Sequence, residues 1–106
     1  MSVRTDAIAG GVANDENAYA FPNPVRPGYD GPIAIRGLAR DAVVKITDIH
    51  GQIIFETRSL GGQAIWDGRD LNGQKAETGV YLVFSVANSD GFTKPDALVT
   101  RILVMN

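Results

Sequence analysis

From Pro32 to Asn106 no stretch escapes glycine, proline or clusters of β-branched side chains for long enough to make a helix, because each of these weakens helical hydrogen bonding or side-chain freedom. What remains is period two. In "PIAIRGL" Ile33 and Ile35 face one way while Ala34 and Arg36 face the other, and in "AVVKITDI" Val44 and Ile46 alternate with Lys45 and Thr47. "DIHGQIIFE" places His50-Gly51 as a permissive turn before Ile53 and Phe55 alternate with Ile54 and Glu56, which predicts a hairpin. "SLGGQAIWDG" gives a short strand ending on Trp66. "VYLVFSVA" is apolar on both faces, as a central strand requires: Val80, Leu82, Phe84 and Val86 on one side, Tyr81 and Val83 on the other. "NSDGFTKPD" reads as a long turn and "ALVTRILVMN" as the last strand.

With an edge strand over 18–21, this makes about seven strands separated by turn signals at roughly ten-residue spacing, the pattern of an antiparallel β-sandwich. A β-barrel of similar strand count fits the pattern as well. The chain is 106 residues long, enough for one domain with a real core and too short for two. Residues 1–16 are small, polar and aperiodic, and read as a flexible leader or linker from a larger parent protein, with the folded domain spanning 17–106. No signal peptide or membrane-spanning run is visible, so any export signal is expected on a longer parent chain. Four of the five prolines fall in "AYAFPNPVRPGYDGP", which excludes a helix and a central strand there.

Charge and motif content narrow the function classes. Ten basic against twelve acidic residues, with no run of Lys and Arg longer than a pair, lack the concentrated positive patch that nucleic acid demands. There is no cysteine, which removes disulfides, thiolate metal sites and a cysteine nucleophile together. His50 is the single histidine, at a hairpin tip with no visible partner for acid–base work or metal binding, and reads as an exposed turn residue. Asp67, Asp70 and Asn72 in "DGRDLNG" offer oxygen ligands but not at a calcium-loop spacing; they are also what tight turns need. Ser59, Ser85 and Ser89 lack a nucleophile elbow, and no phosphate-cradling glycine motif occurs, so neither catalytic residues nor a cofactor are expected. Trp66 and Tyr81 lie in apolar strands and are expected to be buried rather than to stack on a sugar. Gly68, Gly73 and Gly79 are expected to supply the positive φ that other residues resist, so "WDGRDLNGQKAETGVYLVF" reads as a structural corner of the scaffold.

These same residues carry a resemblance. "WDGRDLNGQKAETGVYLV" is similar to the signature of small immunoglobulin-like domains found in the flagellar hook-capping protein and in the type A C-terminal sorting domains of the type IX (Por) secretion system of Bacteroidetes. The flanks favour the sorting domains. "AYAFPNP", with Phe21 in place of the family's tyrosine before Pro22, Asn23 and Pro24, resembles their opening; "VVKITDIHGQIIFE", with Gly51, resembles their central hairpin; "ETGVYLV" resembles their Gly-x-Tyr strand and "TRILVMN" their final strand. Trp66, Asp67, Gly68 and Gly73 complete the motif. The match covers about 17–106, and the runs "FPNPVRPGYDGPIAIRGL" and "LGGQAIWDG" most resemble the domain of one surface component of that machinery.

The resemblance implies an immunoglobulin-like, non-catalytic domain that acts as a folded secretion signal. Cargo of this kind crosses the inner membrane by a conventional signal peptide, is recognised by an outer-membrane shuttle protein, and reaches the cell surface. There a sortase removes the domain and attaches the cargo to anionic lipopolysaccharide; in the surface component the domain is retained. The partners implied are therefore the shuttle and the sortase of the attachment complex, with anionic lipopolysaccharide a further candidate ligand. Gly79, Tyr81, Arg101, Ile102, Leu103 and Val104 carry over as candidate recognition residues, with the last strand expected to offer a free edge for strand addition. A hook-capping type of assembly domain and a carbohydrate-binding module are the alternatives.

Overall fold

Alternating apolar residues can be buried only if strands pair and then stack, and the chain does both. The computed structural model describes residues 17–89, 92–93 and 97–106, so the expected 1–16 leader lies outside the described residues. Eight strands follow in order: β1 (Tyr19–Phe21), β2 (Ile33–Arg36), β3 (Ala42–Thr47), β4 (Ile53–Arg58), β5 (Ala64–Trp66), β6 (Gly79–Ser89), β7 (Phe92–Thr93) and β8 (Ala97–Val104). No helix occurs among the described residues.

The strands form two antiparallel sheets that pack as an immunoglobulin-like sandwich. One sheet runs β1-β2-β5; the other runs β4-β3-β6, with β7 and β8 also paired to β6. Two separate sheets settle the choice between sandwich and barrel. β6 is central, since Leu82 to Ser85 pair with β3 and lie within its pairing with β8. Its double-sided apolar sequence follows from that position.

The inward residues are those the alternation selects: Ile33 and Ile35 from β2, Ala64 and Trp66 from β5, Val44 and Ile46 from β3, Tyr81 and Val83 from β6, Ile102 and Val104 from β8. Each large aliphatic among them contributes about 1.5–3 kcal/mol by leaving water. Trp66 is fully buried, and its ring meets that of Tyr81 at 5.6 Å and 58°.

Two local expectations change. The stretch read as one long turn after β6 contains β7, whose Phe92 and Thr93 pair back onto Ser89 and Asn88; two residues of pairing leave no periodicity to read. In the β3–β4 hairpin Ile46 pairs with Phe55 and Thr47 with Ile53, so the register slips at Ile54. That bulge puts both Ile54 and Phe55 against the core and breaks the simple alternation.

Candidate functional site

The segment after Trp66 is held by short-range hydrogen bonds that its residue types dictate. The Trp66 indole N–H donates to the Arg69 carbonyl at 2.9 Å, and the Asp67 carboxylate accepts from the Arg69 amide at 3.0 Å. Gly68, at φ 78°, turns the chain so that its carbonyl accepts from the Ala76 amide at 2.9 Å. Gly73 also has positive φ; Gly79 does not, and lies in β6 paired with Val104. The expectation for Gly79 is thus corrected. A glycine after threonine marks a strand start as readily as a turn.

The sequence motifs conceal a repetition that the pattern reading missed, although its signal is plain. "DIHGQ" (48–52) and "DLNGQ" (70–74) are the same turn twice. In the first, Asp48 Oδ1 accepts from the His50 amide at 2.8 Å and the Gln52 amide at 3.0 Å, while Gly51 N–H donates to the Asp48 carbonyl at 3.1 Å. In the second, Asp70 Oδ1 accepts from the Asn72 and Gln74 amides at 2.9 Å each, and Gly73 N–H donates to the Asp70 carbonyl at 3.0 Å. Both turns line one cleft of about 390 Å³, with Tyr81 at its apolar side. The Tyr81 hydroxyl donates to the Glu77 carbonyl at 2.7 Å. Its pKa is pushed above the ordinary 10.0, first by burial, then by the nearby Glu77 carboxylate, with Asp48 and Asp70 adding to it.

The proline-rich opening does something its local sequence does not announce. Asn23 reaches the last strand: its Nδ2 donates to the Arg101 carbonyl at 2.8 Å, and its Oδ1 accepts from the Leu103 amide at 3.0 Å. Val25 continues the same contact with its backbone, donating to the Leu103 carbonyl at 2.7 Å and accepting from the Met105 amide at 2.8 Å. The Asn23 carboxamide thus stands in for a peptide group in a short parallel pairing that ends at Val25 and Val104. Pro22 and Pro24 follow cis peptide bonds in this strap, and Phe21 before it is exposed.

Between Arg101 and Met105 the outer edge of β8 is therefore occupied. That corrects the expected free edge for strand addition over this part of the strand. Of the candidate recognition residues, Tyr81, Ile102 and Val104 are buried in the core, Gly79 is half-buried, and Arg101 and Leu103 are exposed. Leu103 pairs with Val80, Arg101 with Leu82, and Leu98 with Phe84. Val80, Leu98 and Leu103 are all exposed, so the outward face of β6 and β8 presents aliphatic side chains beside one guanidinium.

His50 is exposed at its turn, and no group of three or more His, Asp or Glu side chains among the described residues is arranged to hold a metal ion. No helix among them is long and apolar enough to cross a membrane.

No family model matches the chain, and a search of curated proteins returns no match. Solved structures do match. Over 92% of this chain the fold is similar to PorZ, described as an essential bacterial surface component of the type IX secretion system of Porphyromonas gingivalis, with a TM-score of 0.74 and 30% identity. Over 82% it is similar to dimeric latent PorU of the same bacterium, with a TM-score of 0.60 and 26% identity. The chain spans only 13% of the PorZ chain and 9% of the PorU chain. It therefore resembles, across nearly all its length, one domain-sized part of a type IX secretion component.

Proposed function

We propose that this domain is a non-catalytic sorting and attachment module of a type IX secretion system surface protein, recognised at the outer membrane in its folded state. The observation that carries the reading is the likeness to PorZ over 92% of the chain at 30% identity. The partners in this reading are the outer-membrane shuttle protein and the sortase of the attachment complex, and the destination is the cell surface. Residues 1–16 serve as the link to a parent protein.

Recognition in this reading uses side chains rather than a free strand edge, because the strap occupies β8 from Arg101 to Met105. Arg101 and Leu103 make contact from the outward face, opposite Leu82 and Val80. Tyr81, Ile102 and Val104 hold that face in shape from within the core.

The test fuses the full 106-residue chain behind an exported reporter in a bacterium with a working type IX system. Surface delivery that disappears when the machinery is deleted supports the reading, and intact mass tells removal of the domain from its retention. The pair Arg101→Glu and Leu103→Ser is expected to cut delivery while leaving the thermal midpoint within a few degrees, as exposed substitutions do. A reporter left in the periplasm with the native chain overturns the proposal.

A further inference from the structure

The cleft between the two Asp-x-x-Gly-Gln turns borders the face used in the sorting reading through Val80 and Tyr81, but its turns and carboxylates play no part in that reading. At about 390 Å³ it is as large as clefts that take small ligands or single side chains of a partner. Its apolar side is Ile54 and Tyr81, and Asp48, Asp70, Glu77 and Lys75 also line it. Three carboxylates against one ammonium leave the cleft negative, and the field of all three reaches the Tyr81 hydroxyl.

The turns add a second kind of contact. The second residue of each is a large aliphatic held out in water: Ile49 is 64% exposed and Leu71 is 68% exposed. A single exposed aliphatic means little. Two at equivalent positions of two turns that share one cleft are a different observation. Each turn is fixed by backbone and Asp hydrogen bonds, so its tip loses little freedom when something packs on it. Ile49 lines the cleft and Leu71 follows Asp70, which also lines it, and fixed aliphatic tips with a negative cleft are complementary to one chemistry.

We propose that this cleft docks a short segment of a partner protein in which a basic side chain, entering between Asp48, Asp70 and Glu77, is flanked by aliphatic residues that pack on Ile49 and Leu71. The probe is a capped hexapeptide alternating leucine and arginine, titrated into the isotope-labelled full chain and followed by amide chemical shifts. Shifts are expected at His50, Gly51, Asn72, Gly73 and Thr78. The same peptide with glutamate for arginine is expected to bind at least about tenfold more weakly, and raising the salt towards molar to weaken the arginine peptide, because the screening length falls to about 3 Å. Glu77→Gln removes one charge without touching either turn, and Ile49→Ser with Leu71→Ser removes both tips. Each variant is expected to lose at least about threefold in affinity with an otherwise unchanged spectrum, as loss of one or two contacts does. Equal binding of the glutamate peptide, shifts centred on Leu98 and Leu103 instead, unchanged affinity in both variants, or no shift at millimolar peptide would each overturn the proposal.

Discussion

Two serines in this fold are almost equally buried and should respond to the same substitution with opposite sign. Ser59 follows β4, and its hydroxyl donates to the Ala39 carbonyl at 2.8 Å while accepting from the Ala42 amide at 2.9 Å. Ser85 lies in β6 opposite Val44 and Ala97, and its hydroxyl has no hydrogen-bond partner among the described residues. Ser59→Ala removes two buried hydrogen bonds and takes the hydroxyl away from the Ala42 amide, at a cost of about 2–4 kcal/mol. Ser85→Ala removes a hydroxyl that is desolvated without return. About 1–3 kcal/mol is recovered, less a few tenths for the contacts of the missing atom, so a net gain of about 1 kcal/mol is expected. On a domain of this size 1 kcal/mol moves the thermal midpoint by about 4–8 °C. Urea unfolding followed by the fluorescence of Trp66, the one tryptophan, reads both variants on a common scale if the m-value is unchanged. A loss of stability of more than about 0.5 kcal/mol in Ser85→Ala would show that its hydroxyl is satisfied, and the reasoning from its isolation would fail.

Other expectations follow from the strap, the turns and the tyrosine. Asn23→Ala should cost about 1–3 kcal/mol and speed hydrogen exchange at the Leu103 amide, whereas Asn23→Asp keeps the acceptor and should keep that amide protected. Gly73→Ala should cost about 1–2 kcal/mol because its φ is 82°, while Gly79→Ala, with open space at the added carbon, should cost well under ~1 kcal/mol by denaturant titration. Tyr81→Phe should lose about 0.5–1.5 kcal/mol with the hydroxyl's bond to Glu77. Because the folded-state pKa of Tyr81 lies above 10.0, the unfolded chain releases this proton first as pH rises. Native stability should fall from about pH 10.0 upward, with no pH dependence from this group well below it, and the Phe variant should fall less steeply.

Local chemistry explains what could be read from the sequence. Ile33 and Ile35, or Val44 and Ile46, announce their strands because one face is buried and the other is not, and Trp66 and Tyr81 announce burial by the apolar company they keep. Asp70 and Gly73 announce a turn because the carboxylate and the positive φ are needed within four residues of each other. The strap is different. Asn23 pairs with residues 78 and 80 positions away, and nothing within a few residues of it reports that reach. The free edge expected of β8 fails from Arg101 onward for this reason: whether a strand edge is open depends on what else arrives there. The candidate recognition residues split into buried and exposed because strand alternation applies to a motif as it does to any other residues. The cleft was half legible, since the two Asp-x-x-Gly-Gln turns repeat in plain view while their convergence is a property of the sandwich.

The strap also ties the folded state to the last strand. The contact that closes the structure joins Asn23 and Val25 to Arg101, Leu103 and Met105, so a strap near the start of the described fold waits for its end. Closing a loop of some eighty residues rather than ten costs about 2 kcal/mol more in chain entropy, and such distant pairings slow folding. A chain emerging in order from a ribosome or a membrane pore would hold Asn23 and Val25 without these partners until β8 arrived. A chain cut short before residue 101 would leave two raw edges, one on the strap and one on β6, each ready to pair with a neighbouring molecule. The folded state is thereby tied to the presence of residues 101–105, and any receptor that reads the folded surface would register them at the same time.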